Sequence, residues 1–209
     1  MASTNVFHWL DGRGWLVLSG GVDEDIRATA INRMAADGAL AVMAIDQQSD
    51  QLLIDLEDMA APAGYWVDPT TDEDVVVLDK LTDAGLVVIT GEGTPQSARA
   101  YLSGAPLEGL QSAYERGAVI LLEGVIATLF GTWILDGEAR DGLEWLEGGV
   151  ALVIDDSQEH LIREFLAETP TAIVIGVKPG SAIVFGPDGE IETWGAGEVV
   201  IRLGSAYSG

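Results

Sequence analysis

A chain of 209 residues, 48% of them hydrophobic and with a mean hydropathy of +0.25, is long and apolar enough to build a packed core, which excludes a disordered chain. Its 34 Asp and Glu against 10 Lys and Arg give a net charge of −24, a field that repels nucleic-acid phosphates and anionic membranes and attracts cations, basic peptides or a basic protein face. Cysteine is absent and the histidines are His8 and His160 alone, so disulfides, thiolate metal sites and a histidine-rich zinc site are excluded.

In chain order, Trp15–Ser19 reads as an apolar strand running into Gly20-Gly21. Asp23-Glu24-Asp25 then opens a helix at the end where negative charge suits the dipole; Ile26, Ala30 and Met34 form its stripe and Gly38 its stop. Leu40–Ile45 is a second strand, Gln51–Ala60 a second helix and Tyr65-Trp66-Val67 a short third strand. Asp72-Glu73-Asp74 repeats the acidic helix start, with Val75, Leu78 and Leu81 at helical spacing. Leu86–Thr90 is a strand running again into glycine, Leu107, Leu110 and Tyr114 mark a helix, and Ala118–Leu122 is another buried strand. After a helix near Gln158–Ala167, strands crowd together at Ala172–Val177, Ser181–Phe185, Glu190–Trp194 and Glu198–Leu203. The turn between the middle two, Gly186-Pro187-Asp188-Gly189, carries its own turn chemistry.

Alternating strands and helices with continuous apolar strands predict an α/β three-layer sandwich around a central, mostly parallel sheet. Antiparallel strands are expected at the C-terminal end. One domain over 1–209 is expected, with 1–14 as an N-terminal extension and 205–209 as a frayed tail. Ligands of such sheets sit beyond the carboxyl ends of the strands, which puts Gly20-Gly21 and Gly91-Glu92-Gly93 on the functional edge.

The glycine loop at 91–96 lacks the third glycine and the Lys-Ser/Thr pair of nucleotide-binding fingerprints, so it reads as a strand-to-helix turn. The acidic triplets lack the spaced donors of a calcium loop and read as helix starts. Ser157, Glu159 and His160 read as an N-cap and first helical turn rather than as part of a triad. No cofactor or metal is implied. No run of about 18 apolar residues is present, nor a basic start followed by a cleavable apolar run, so the cytoplasm is the expected address.

Four ordered stretches resemble the cyanophycinase and peptidase E family of serine peptidases. Leu86–Gly104 followed by Pro106-Leu107 is similar to the strand, glycine turn, glutamine and helix that precede the family's nucleophile. Tyr114-Glu-Arg-Gly-Ala-Val-Ile is similar to the approach to its nucleophile elbow. Gly142-Leu143 through Asp155, with Arg163, resembles the stretch carrying the family's Asp-Gln-His-Phe and spaced arginines. Val174–Phe185 resembles its glycine-rich strand, Asp-Glu pair and following strand, and Gly195-Ala-Gly-Glu-Val its closing motif. The resemblance implies a class I glutamine amidotransferase-like fold.

It does not carry the chemistry across. A serine peptidase needs an activated hydroxyl, a base and oxyanion donors. Where the family has Gly-Thr-Ser-Ala-Gly, this chain has Leu122-Glu123-Gly124-Val125-Ile126, with Gly124 in place of the serine. The family's histidine falls on Ser157, and its Asp-Glu pair on Lys178-Pro179. The former active-site positions implied are therefore Glu92, Gly93, Gly124, Val125, Ser157, Lys178 and Pro179, with no catalytic residue among them. The expected role is a non-catalytic binding, assembly or structural module, a homo-oligomer or partner of another protein, with Trp9 and Trp15 as possible interface anchors. Two alternatives stay open. One is a hydrolase with a relocated nucleophile at Ser157 or Ser181 and His160 as base. The other is a small-ligand sensor that reuses the old cleft, with Lys178 receiving a carboxylate.

Overall fold

The computed structural model describes residues 8–35, 38–45, 50–154 and 158–207. Seven strands form the central sheet in the order β13-β12-β2-β6-β5-β3-β4. β2 (Trp15–Ser19), β6 (Val119–Glu123), β5 (Ala84–Thr90), β3 (Ala39–Ala44) and β4 (Gly64–Trp66) run parallel. The hairpin of β12 (Ser181–Phe185) and β13 (Ile191–Gly195) adds antiparallel to β2. The sheet is thus mostly parallel with an antiparallel end from the C-terminal part of the chain, as the residue pattern requires.

Residue alternation sends the strand side chains to two cores. Val17, Val42, Val88 and Leu121 meet α1 (Glu24–Arg33) and α2 (Asp50–Asp58). Leu18, Met43, Ile89 and Leu122 face the other side. There they meet α3 (Asp74–Thr82), α4 (Pro95–Leu102) and α5 (Ala105–Arg116). Both faces are covered, which is why these strands carry continuous apolar runs.

The C-terminal strands part company, which local pattern does not foretell. While β12 and β13 join the central sheet, β11 (Ile173–Val177) and β14 (Val199–Leu203) join a five-stranded sheet in the order β14-β11-β10-β7-β8. Its other members are β7 (Trp133–Asp136), β8 (Glu138–Asp141) and β10 (Val150–Val153). β10 runs parallel to β7 and β11, while β14 pairs antiparallel with β11. Leu152, Ile173 and Ile175 on one face pack toward the central sheet, and Val153 and Val174 on the other meet Ile162 and Phe165 of α6 (Glu159–Glu168).

His8 and Trp9 link a small two-stranded sheet to the central sheet. β1 (His8–Trp9) pairs with β9 (Leu146–Glu147). The Trp9 ring packs against Phe185, tilted by 45° with centroids 5.2 Å apart, and its Nε1 donates to the Gly186 carbonyl at 3.1 Å. Trp15 lies under the Arg33 guanidinium at 4.0 Å. Both tryptophans are engaged inside the chain. At the other terminus Tyr207 Oη donates to Thr171 O at 2.9 Å and Ala206 N to Pro170 O.

Helix ends refine the expectations. Asp23 caps α1 by accepting from Ile26 N at 3.0 Å, but the helix stops at Arg33, because Met34 already has extended ψ. The second triplet behaves differently: Glu73 is the N-cap without a side-chain bond. Asp72 turns away to accept from Lys80 Nζ at 2.8 Å and Asp68 N at 3.2 Å. Among the described residues no helix is long and apolar enough to cross a membrane, and no group of three or more His, Asp or Glu is placed to hold a metal ion.

Candidate functional site

Three parallel strands end together, and their loops line an open cleft of about 400 Å³, within the usual size range of ligand pockets. Gly21 and Val22 follow β2, Thr90–Gly93 end β5 and follow it, and Glu123–Val125 end β6 and follow it. This is the carboxyl edge that the parallel architecture favours for ligands.

β6 ends in a sharp turn. Glu123 is its last residue, and Gly124 takes φ +64°, a left-handed conformation, before a 3-10 turn over Gly124–Phe130. A Cβ built on Gly124 would meet nothing within 4 Å. The chain therefore turns sharply from strand into helix here, with free space where a side chain would stand. Thr128 Oγ1 secures the turn by donating to Val125 O at 2.7 Å. Val125 borders the cleft, while Ile126 is fully buried in the core and takes no cleft space.

Beneath the elbow lies a pair that sequence reasoning missed. Alternation puts Glu123 on the α1 face of the sheet, and Arg27 of α1 meets it with two parallel bonds, Nε to Oε1 and Nη2 to Oε2, both 2.8 Å. The side chains are only 7% and 2% exposed. The fork geometry offsets part of the desolvation cost of burying both charges. Two signals were present in the sequence: a carboxylate closing the apolar run Val119–Leu122, and an arginine three residues before Ala30 of the apolar stripe. Nothing local joins them, since they stand 96 positions apart.

The second lining loop is the strand-to-helix turn expected. Gly91 and Gly93 have φ +133° and +143°, and Thr94 and Ser97 form a reciprocal capping box that starts α4. Glu92 stands exposed at the mouth. A Cβ on Gly20, by contrast, would fall 2.3 Å from the Lys178 carbonyl oxygen, so the end of β2 is packed tightly on the β11–β12 turn.

That turn carries other positions that the resemblance assigns to the site, and neither Lys178 nor Pro179 lines the cleft. Lys178 Nζ donates to Glu198 Oε2 at 2.7 Å, and Pro179 is exposed. Ser181 is 1% exposed. Its hydroxyl lies 2.7 Å from Lys178 O and 3.0 Å from Glu198 O, so it serves the turn. His160 lies on α6, 78% exposed, with Nδ1 3.2 Å from Glu164 Oε2. Ser157 and Asp155 lie outside the described residues. The structure thus brings together Glu92, Gly93, Gly124 and Val125, and leaves Lys178, Pro179, Ser181 and His160 elsewhere.

No protein-family model matches the chain, and no curated protein matches either. Solved structures do. A crystal structure of a peptidase from an acI-B1 Actinobacterium is similar with a TM-score of 0.73 at 14% identity, covering 93% of each chain. A Listeria monocytogenes EGD-e protein named as a candidate peptidase E is similar with a TM-score of 0.59 at 11% identity, covering 88% of this chain and 99% of that one. The fold is therefore peptidase E-like and fits the class I glutamine amidotransferase-like architecture. At these identities the likeness speaks for fold, and function has to be argued from the site.

Proposed function

We propose that this chain is a non-hydrolytic relative of the cyanophycinase-like and peptidase E-like serine peptidases, with the catalytic motif degenerate and the old cleft kept as a binding site. The observation that carries the reading is Gly124: an elbow with φ +64° and open space ahead of it, but no hydroxyl. Acyl transfer needs a nucleophile beside a base, and among the described residues the lining offers neither a serine nor a histidine. Thr90 supplies the one hydroxyl among the described lining residues.

A relocated nucleophile at Ser181 gains no support from its surroundings. Its oxygen is buried and engaged with two carbonyls, and the His160 ring is turned to Glu164. The open volume does favour a small ligand over a filled, purely structural relic. Lys178 is a poor receiver for it, being held by Glu198 outside the lining. The net charge of −24 keeps nucleic acid and anionic membranes out of the reading and leaves a protein partner or a second copy.

The test is direct. Folded protein is treated with a serine-reactive fluorophosphonate probe, and peptides of acidic residues and cyanophycin are offered as substrates. No stoichiometric adduct and no turnover are expected. One serine labelled stoichiometrically, Ser157 or Ser181 above all, would overturn the reading.

A further inference from the structure

The free edge of the second sheet combines two kinds of unpaired surface in the same residues. Arg202 of β14 faces α6, where its Nη2 donates to Glu159 at 2.9 Å. Val199, Ile201 and Leu203 alternate to the opposite face, in register with Val177, Ile175 and Ile173. Those three partners are fully buried between the sheets. By pattern Ile201 and Leu203 are inward residues, yet each is 51% exposed, because among the described residues no strand lies beyond β14.

The backbone follows the same division. Lys178 N donates to Glu198 O, and Gly204 N to Ala172 O. Glu198, Val200, Arg202 and Gly204 therefore spend their peptide groups on β11. Antiparallel alternation then points the N–H and C=O groups of Val199, Ile201 and Leu203 outward. Edge strands are commonly guarded by proline, a bulge, or exposed charge. β14 pairs without a register shift, contains no proline, and has as its sole charge Arg202, already bound to Glu159.

We propose that a second copy of this chain pairs here, antiparallel, about a two-fold axis through Ile201. Charge selects the occupant. Two chains at −24 each repel wherever carboxylates meet, and Val199–Leu203 contains none of the 34 acidic residues. A basic partner would instead be drawn to the acidic surface. The register follows from the backbone. With Ile201 opposite its own copy, Val199 faces Leu203, and each facing pair exchanges both of its outward hydrogen bonds. The same register sets Arg202 opposite Val200 rather than opposite the other Arg202, and buries the apolar stripe against its copy. The proposal stands apart from the cleft, so a monomer would leave the non-hydrolytic reading intact.

The chain has no cysteine, so a single one reports unambiguously. Facing Cα atoms about 5.5 Å apart lie within disulfide range. Ile201→Cys is expected to oxidise almost completely to a linked dimer, while Ile191→Cys, equally exposed at 51% on the edge of the central sheet, stays unlinked. In sedimentation, the unmodified protein is expected at twice 22.0 kDa. Ile201→Lys, with circular dichroism unchanged, should weaken the dimer at least tenfold, to about 22.0 kDa at dilute concentration, since like charges then oppose each other. A 22.0 kDa species at the highest soluble concentration overturns the proposal. So does a dimer indifferent to Ile201→Lys, an unlinked Ile201→Cys, or a different protein bound to this edge on a monomer.

Discussion

The end of β6 and the β11–β12 turn both hold positions where the resemblance implies catalytic groups, and their surroundings differ. At the end of β6 Gly124 makes a left-handed turn with open space ahead of it, over a buried Arg27–Glu123 pair. At the β11–β12 turn the polar groups are engaged with one another, Lys178 with Glu198 and the Ser181 hydroxyl with two carbonyls. One region is a supported turn that opens onto the cleft. The other is a self-contained turn outside its lining. Open space persists where a buried pair holds the end of a strand, and closes where neighbouring polar groups satisfy one another.

The largest loss of stability is expected at Arg27. Arg27→Met strands the Glu123 carboxylate in the core and is expected to cost about 3–5 kcal/mol, read as a lower urea midpoint. Arg27→Met with Glu123→Leu should recover most of that loss, because no charge is then left buried. If the single change costs under about 1 kcal/mol, the pair is not the support of the elbow.

Ser181→Ala removes a buried hydroxyl from Lys178 O and Glu198 O and should cost about 1–3 kcal/mol. Gly124→Ser tests the frame itself. Space is open ahead of the Cβ, so the cost is conformational, about 1–2 kcal/mol for a left-handed non-glycine residue. That corresponds to a fall of about 2–8 °C in Tm for a domain of this size. A larger fall would show that the space is not usable. Lys178→Ala, on an exposed pair, should change stability by less than about 1 kcal/mol.

Acid should find the surface pairs last and least. Glu192 is held below its usual carboxylate range, first by Trp194 Nε1 and then by Arg33, and Asp72 is lowered chiefly by its hydrogen bond from Lys80. Carboxyls depressed in the folded state contribute stability that is present above their unfolded pKa and is lost as pH falls through the lowered one. A pH titration of Tm below about 4 should therefore fall less steeply in Arg33→Met than in the unmodified chain.

Much of the fold was legible because its signals are local. The strands at Trp15–Ser19 and Ser181–Phe185 fall where expected, and Leu86–Thr90 lies within β5. β7, β8 and β10 escaped because they are short and set between Gly131, Gly137, Gly148 and Gly149, where periodicity has too few residues to show. Met34 and Gly38 were read as part of α1 and its stop, but the helix yields at Arg33, where extended backbone begins. At the site, the absence of a side chain at Gly124 could be read directly. The floor beneath it could not, since Arg27 and Glu123 meet only when α1 covers the sheet.

The sequence alone determined the layered α/β class, because a strand buried on both faces and a helix with one apolar stripe each write their period into neighbouring residues. It also determined that Gly124 bears no hydroxyl. Tertiary structure decided which sheet each C-terminal strand joined, that the cleft is open, and that the peptide groups of Val199, Ile201 and Leu203 point outward at an edge with no strand beyond it among the described residues. Those are choices of partner between distant segments, settled by which pairing buries both faces at once.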